Sequence, residues 1–162
     1  MTIKDLLEEV RDDLADIRKL EDRAVSLECS LSAGSAELST VRGNGRPKGG
    51  NARLDVLLDL SSKLDAMRKE RERKVRLVDA LLYGEGGRGG YVRMRSRANV
   101  DLATDAELLR AYYVDGRTWR DVAAELARPD SKAPAQWCRH RAMAAIRRMD
   151  KAGPRVVLGL EG

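Results

Sequence analysis

Phenylalanine is absent from this 162-residue chain, and aromatic residues reach only 4%. With 35% charged residues, so little aromatic surface excludes a large buried sheet. A hydrophobic share of 43% excludes a disordered chain. No apolar run approaches the roughly 20 residues of a membrane span. The opening text Met1-Thr-Ile-Lys-Asp-Leu-Leu-Glu-Glu9 lacks the apolar core of a secretion signal, so a cytoplasmic location is expected. Cys29 and Cys138 stand far apart without CxxC or CxxH spacing, which argues against a disulfide framework and a zinc site. His140 is the one histidine, and no carboxylate pair or Cys-His pair accompanies it. Catalysis, a metal and a cofactor are therefore not expected. The glycines form neither a GxGxxG between strand and helix nor a P-loop.

What is present is charge, unevenly placed. The net charge is +5. Residues 1–31 carry five Lys/Arg against nine Asp/Glu, whereas residues 128–162 carry eight against three. An acidic start and a strongly basic end point to a polyanion as partner of the basic end.

Two long helices are predicted in the first half. Ile3, Leu7, Val10, Leu14, Ile17, Leu20, Ala24, Leu27 and Leu31 step by four and three, the seam of a coiled-coil helix. Residues 32–52 turn to Ser, Gly, Asn and Pro and read as a flexible loop. A second stripe follows through Leu54, Leu57, Ser61, Leu64, Met67, Val75, Val78 and Leu82, with Arg71 on the seam. Neither stripe is buried by its own helix, so residues 1–83 are expected to pair as an antiparallel hairpin, within one chain or between chains. Residues 84–103, rich in Gly and Arg, read as a linker in which Arg88, Arg93, Arg95 and Arg97 are available to phosphates.

Residues 104–152 carry three short helices, and 153–162 a tail. Thr104 and Glu107 have capping-box spacing. The helix they open carries Leu108, Leu109, Tyr112 and Tyr113 and ends at the turn pair Asp115-Gly116. Thr118 caps a second helix whose inner face is Trp119, Val122, Ala123 and Leu126. A turn at Arg128-Pro129-Asp130-Ser131 precedes a third helix, about 133–149, with Pro134 in its first turn. At 100° per residue, Cys138, Ala142, Ala145 and Met149 share a narrow small-residue face, with Ala135 and Ile146 at its margins. The opposite face holds Lys132, Gln136, His140, Met143 and Arg147, flanked by Arg139 and Trp137. The fold class is thus all-α, a long N-terminal hairpin followed by a three-helix helix-turn-helix domain. Lys132, Gln136, Arg139 and His140 are the candidates for base contacts, since early turns of such a helix reach base edges. Arg141, Arg147, Arg148 and Lys151 are the candidates for phosphate contacts.

Residues 104–150 resemble region 4 of sigma-70-type factors, and most of all the small phage and prophage sigma-like regulators, including ArpU-type and RinA-type late-gene activators. The matching text is Leu109-Arg-Ala-Tyr-Tyr113, Gly116-Arg-Thr-Trp119, Val122-Ala123, Leu126, and Arg141-Ala-Met143 with Ile146. Two departures bear on how the third helix docks: a longer turn holding Pro129 and Pro134, and Ala127 where Gly is common. The resemblance implies a sequence-specific transcription regulator bound to double-stranded DNA, with the hairpin serving dimerisation or contact with RNA polymerase. No membrane partner is expected. A small terminase subunit would combine similar parts but usually carries its DNA module first. A protein-interaction module, its basic helix on an acidic protein, is the other alternative.

Overall fold

The structure, a computed structural model, describes residues 2–38, 48–94, 101–127 and 132–160, with backbone alone for 34–38 and 48–51. It is all-helical among these residues, in the order α1 (Ile3–Leu38), α2 (Lys48–Tyr83), α3 (Leu102–Leu109), α4 (Trp119–Leu126), α5 (Pro134–Ala152) and α6 (Pro154–Val157). None of the described helices is long and apolar enough to cross a membrane. The expected loop over 32–52 is shorter than its composition suggests, because α1 continues to Leu38 and α2 begins at Lys48. Residues 39–47, the expected turn at 128–131, and Arg95 and Arg97 of the expected linker lie outside the described residues.

Contacts divide the chain into two units, one of Met1–Leu14 with Arg71–Gly162 and one of Ala15–Glu70. The hairpin reading of residues 1–83 therefore covers parts of both. In the first unit, Thr2 and Asp5 cap α1 reciprocally, Thr2 N–H donating to Asp5 at 2.7 Å and Asp5 N–H to Thr2 Oγ1 at 3.1 Å. Ile3, Leu6, Leu7 and Val10 of α1 then join Val78, Leu81 and Leu82 of α2, and Leu109, Tyr113, Ile146 and Met149, in one buried cluster. Fully burying side chains of this size contributes roughly 1.5–3 kcal/mol each. Lys74 of α2 reaches Asp13 at 2.8 Å and Glu9 at 3.3 Å, which ties α2 to α1 within this unit.

Residues 84–94, expected as a linker, are instead anchored to this core through Gly90, Tyr91, Val92 and Met94, while Arg88 and Arg93 are exposed. Glu85 and Arg88 close a turn by an antiparallel bridge, and Tyr91 opens a 3-10 turn (Tyr91–Arg93) with its side chain fully buried. Gly90 N–H donates to Val157 carbonyl oxygen at 2.6 Å, which ties the segment to α6, whose Val157 is itself buried. Gly89 sits at φ +62, and a Cβ there would lie 2.4 Å from Leu158 carbonyl oxygen, so only glycine fits. Glycines that read as flexibility are here what lets two backbones approach.

The second unit is a pair of helical segments. Arg68 bonds Glu21 at 2.7 Å, and Ile17, Leu60 and Leu64 are its buried hydrophobic residues among those described. Leu54, expected on the seam, is 48% exposed.

Candidate nucleic-acid interface

Three helices present the basic end of the chain. Asp101 caps α3, its side chain accepting Thr104 N–H at 3.1 Å. This corrects the expected Thr104–Glu107 box: the cap lies three residues earlier, which turns Asp105 into the interior. After Leu109 the helix widens into a π-turn (Arg110–Val114), closed by Asp115 N–H on Arg110 carbonyl oxygen at 3.1 Å. Such a turn leaves carbonyls without helical donors. Arg11 of α1 supplies Tyr112 carbonyl oxygen at 2.5 Å and Arg117 carbonyl oxygen at 3.3 Å, and Arg71 of α2 supplies Val114 carbonyl oxygen. The seam arginine of α2 is therefore a structural donor. Tyr112 stacks on Trp119 with ring centroids 3.8 Å apart, and the Arg11 guanidinium lies 3.6 Å from the Tyr112 centroid.

Thr118 caps α4, as the sequence predicts, and the structure adds Asp121 as the other half of a reciprocal box. Val122 and Ala123 then pack with Leu108, Ala111 and Cys138. Pro134 sits in the first turn of α5, whose buried residues are Cys138, Ala142, Ala145, Ile146 and Met149, the face read from the helical angles. Alanines at the contact bring α4 and α5 close. Burial pushes the Cys138 thiol up. Met143 and Trp137, read towards the outer face, are half-buried against the two clusters.

The opposite side of α5 is a polar strip. Gln136, Arg139, His140, Arg147 and Lys151 are all exposed. Lys132 is exposed too, but it precedes the helix, with Ala133 as the cap. Five of the eight expected contact residues thus share one helix surface, and a sixth stands at its entrance.

The other two are engaged inside. Asp105 is fully buried. It accepts Arg141 Nε at 2.6 Å, Arg148 Nη1 at 2.9 Å and Tyr91 Oη at 2.9 Å. Arg141 Nη2 also reaches Asp101 carbonyl oxygen at 2.8 Å. Burial lowers the Arg148 pKa, but the bond to Asp105 and the Tyr91 and Asp105 charges outweigh it, and the group is held above its ordinary value. Burial and the Asp105 charge push the Tyr91 hydroxyl well up, so it stays a donor. The two arginines expected on phosphates therefore neutralise a carboxylate and fasten α5 to α3 and to the glycine segment. The sequence does carry a signal of this: Arg141 and Arg148 are seven apart, on the flank of α5 next to its buried face.

On the flank nearer α1, Glu8, Arg11 and Asp12 line a groove of about 450 Å³ with Tyr112, Trp119, Arg139 and Met143. Among the described residues no group of His, Cys, Asp and Glu is placed to hold a metal ion. Compared with protein-family models, with curated proteins and with solved structures, the chain gives no match.

Proposed function

We propose that the chain is a sequence-specific regulator that binds double-stranded DNA, with α5 in the major groove. The observation that carries the reading is the strip of Gln136, Arg139, His140, Arg147 and Lys151 along one exposed side of a helix whose other side is packed. Gln136 suits the two bonding positions of adenine and Arg139 those of guanine, while Arg147 and Lys151 suit phosphates. That the target is a promoter of phage or prophage type, with RNA polymerase nearby, rests on the resemblance to sigma region 4-like regulators.

Fluorescence anisotropy with a labelled duplex over a salt series tests the reading. Affinity falls as salt rises, and Arg147→Ala and Lys151→Ala each lower the log–log slope by about 0.9. Arg139→Ala costs about 1–3 kcal/mol on the selected site and less on random sequence. Arg148→Ala leaves the slope unchanged while lowering stability. Binding that ignores salt, or that survives Arg139→Ala with Arg147→Ala, overturns the proposal.

A second reading, an acidic protein rather than DNA as partner of α5, draws on the carboxylates of Glu8 and Asp12 beside Arg139. Those groups repel phosphates but tolerate a mixed-charge protein surface. Absence of duplex binding at low salt favours it.

A further inference from the structure

Beyond Arg139, the groove lined by α1 and α5 holds recognition groups that duplex readout leaves idle. Its residues all belong to the first unit. Glu8 and Asp12 reach it from α1 and Arg139 from α5. Among the described residues the side chains of Asp12 and Arg139 make no hydrogen bond or ion pair, and that of Glu8 has only Lys4, at 3.5 Å. Opposite charges thus line one groove without neutralising each other. Arg11 is held elsewhere, by the Tyr112 and Arg117 carbonyl oxygens and the Tyr112 ring. Tyr113 is 2% exposed, yet its hydroxyl makes no hydrogen bond among the described residues. No side-chain nitrogen or oxygen among them is sealed from solvent without a partner, so this hydroxyl opens on the groove. Burial and the Glu8 charge push its pKa up to about 12, which keeps it a donor at neutral pH. Trp119 and Met143, both half-buried, add apolar surface.

Charge narrows the ligand. A bare cation meets Arg11 and Arg139, and a bare anion meets Glu8 and Asp12. A neutral planar ring with a donor edge and an acceptor edge suits both, because carboxylates only accept and guanidiniums only donate. Guanine is the nucleobase with two adjacent donors, N1–H and the 2-amino group, beside two acceptors, O6 and N7. Arginine bonds those acceptors in two places. Adenine has a single donor group, and uracil flanks its one N–H with carbonyls that a carboxylate repels. The groove, about 450 Å³, is of the size that holds a small ligand. We infer that it is a site for an unpaired guanine, with the N1–H and 2-amino edge on Asp12 and Glu8, O6 and N7 on Arg139, and the Tyr113 hydroxyl donating to a remaining ring acceptor. Pairing hides the N1–H edge in a duplex, so the base comes from a free nucleoside or nucleotide, or from a single strand. The inference shares Arg139 with the DNA-binding reading but does not rest on it.

Titration calorimetry of the full chain with guanosine, without DNA, is expected to give a dissociation constant of roughly 10–500 µM. In nitrogen-15 spectra the indole N–H of Trp119 is expected to shift and that of Trp137 to stay. Inosine, which lacks the 2-amino group, and 7-deazaguanosine, which lacks N7, are each expected to bind about tenfold more weakly. Asp12→Asn, at an exposed side chain without a partner, is expected to keep the thermal midpoint, weaken guanosine about tenfold and shrink its advantage over inosine. Tyr113→Phe removes a hydroxyl that bonds nothing in the fold, so about a threefold to tenfold loss of guanosine with unchanged stability is expected. No heat with guanosine at millimolar concentration, binding no tighter than that of inosine and adenosine, or an Asp12→Asn chain that keeps the preference overturns the inference. A thymine oligonucleotide with one central guanine separates the sources. Tighter binding than guanosine, lost in the all-thymine strand, assigns the base to a strand, and equal or weaker binding assigns it to a free nucleoside. A chain that takes guanosine but no duplex keeps this site and sinks the DNA reading, and one that binds duplex but no guanosine does the reverse.

Discussion

Replacing Asp105 by Asn keeps the volume of the buried side chain and removes its charge. Arg141 and Arg148 then lose their shared carboxylate, though both reach solvent, with side chains 20% and 39% exposed. Their partial hydration reduces the penalty of a broken buried pair, and a loss of roughly 2–4 kcal/mol is expected as a lower urea midpoint. The same change frees two guanidiniums beside the polar strip, so non-specific duplex affinity rises even as stability falls. Tyr113 gives a prediction in pH. Burial first, and then the Glu8 charge, push its hydroxyl up to about 12. The unfolded chain deprotonates near 10, so the stability linked to this residue is intact below pH 10 and is lost as pH climbs towards 12. Tyrosinate absorbance followed alongside circular dichroism checks it: Tyr113 is expected to ionise together with loss of helix in that range.

At the level of elements, the glycine segment separates conformational strain from contact. Gly87 and Gly89 both have positive φ, but a Cβ at Gly87 meets nothing within 4 Å and one at Gly89 meets the Leu158 backbone. Gly87→Ala is expected to cost about 1–2 kcal/mol and Gly89→Ala at least ~1 kcal/mol more, read from thermal midpoints. Thr118→Ala, which removes one half of the α4 box, is expected to cost about 1 kcal/mol. These elements also show what the sequence discloses. Periodicity found the α1 stripe through Leu7, Val10 and Ile17, and the helical angles of α5 found its packed face, because both depend on local spacing alone. Thr118 and Pro134 were legible for the same reason. The glycine segment was not, since one buried tyrosine among glycines has no period, and Val157, the partner of Gly90, lies 67 positions on. Arg141 and Arg148 read as free cations because the carboxylate they meet is on another helix, and Asp105 hid behind a capping-box pattern that Asp101 pre-empts.

At the level of the molecule, protection from hydrogen exchange is expected to divide at the boundary between the two units. Amides of α3 and α5 sit over a large buried cluster, while residues 15–33 and 52–70 cover few buried side chains. Exchange in the latter is expected to be faster, and uniform protection across both units would contradict it. The first unit also joins segments far apart in sequence. Ile3 N–H donates to Asp150 at 2.9 Å across 147 positions, and Leu6, Leu7 and Val10 lie in the same cluster as Met149. The apolar turns of α1 are therefore synthesised well before Ile146 and Met149, which share their cluster. Closure of this cluster waits for α5, a long-range contact that slows folding and leaves the apolar turns of α1 a natural client for holdase chaperones in the interval. The three C-terminal helices, cut away from those turns, would be a cassette with an open seam.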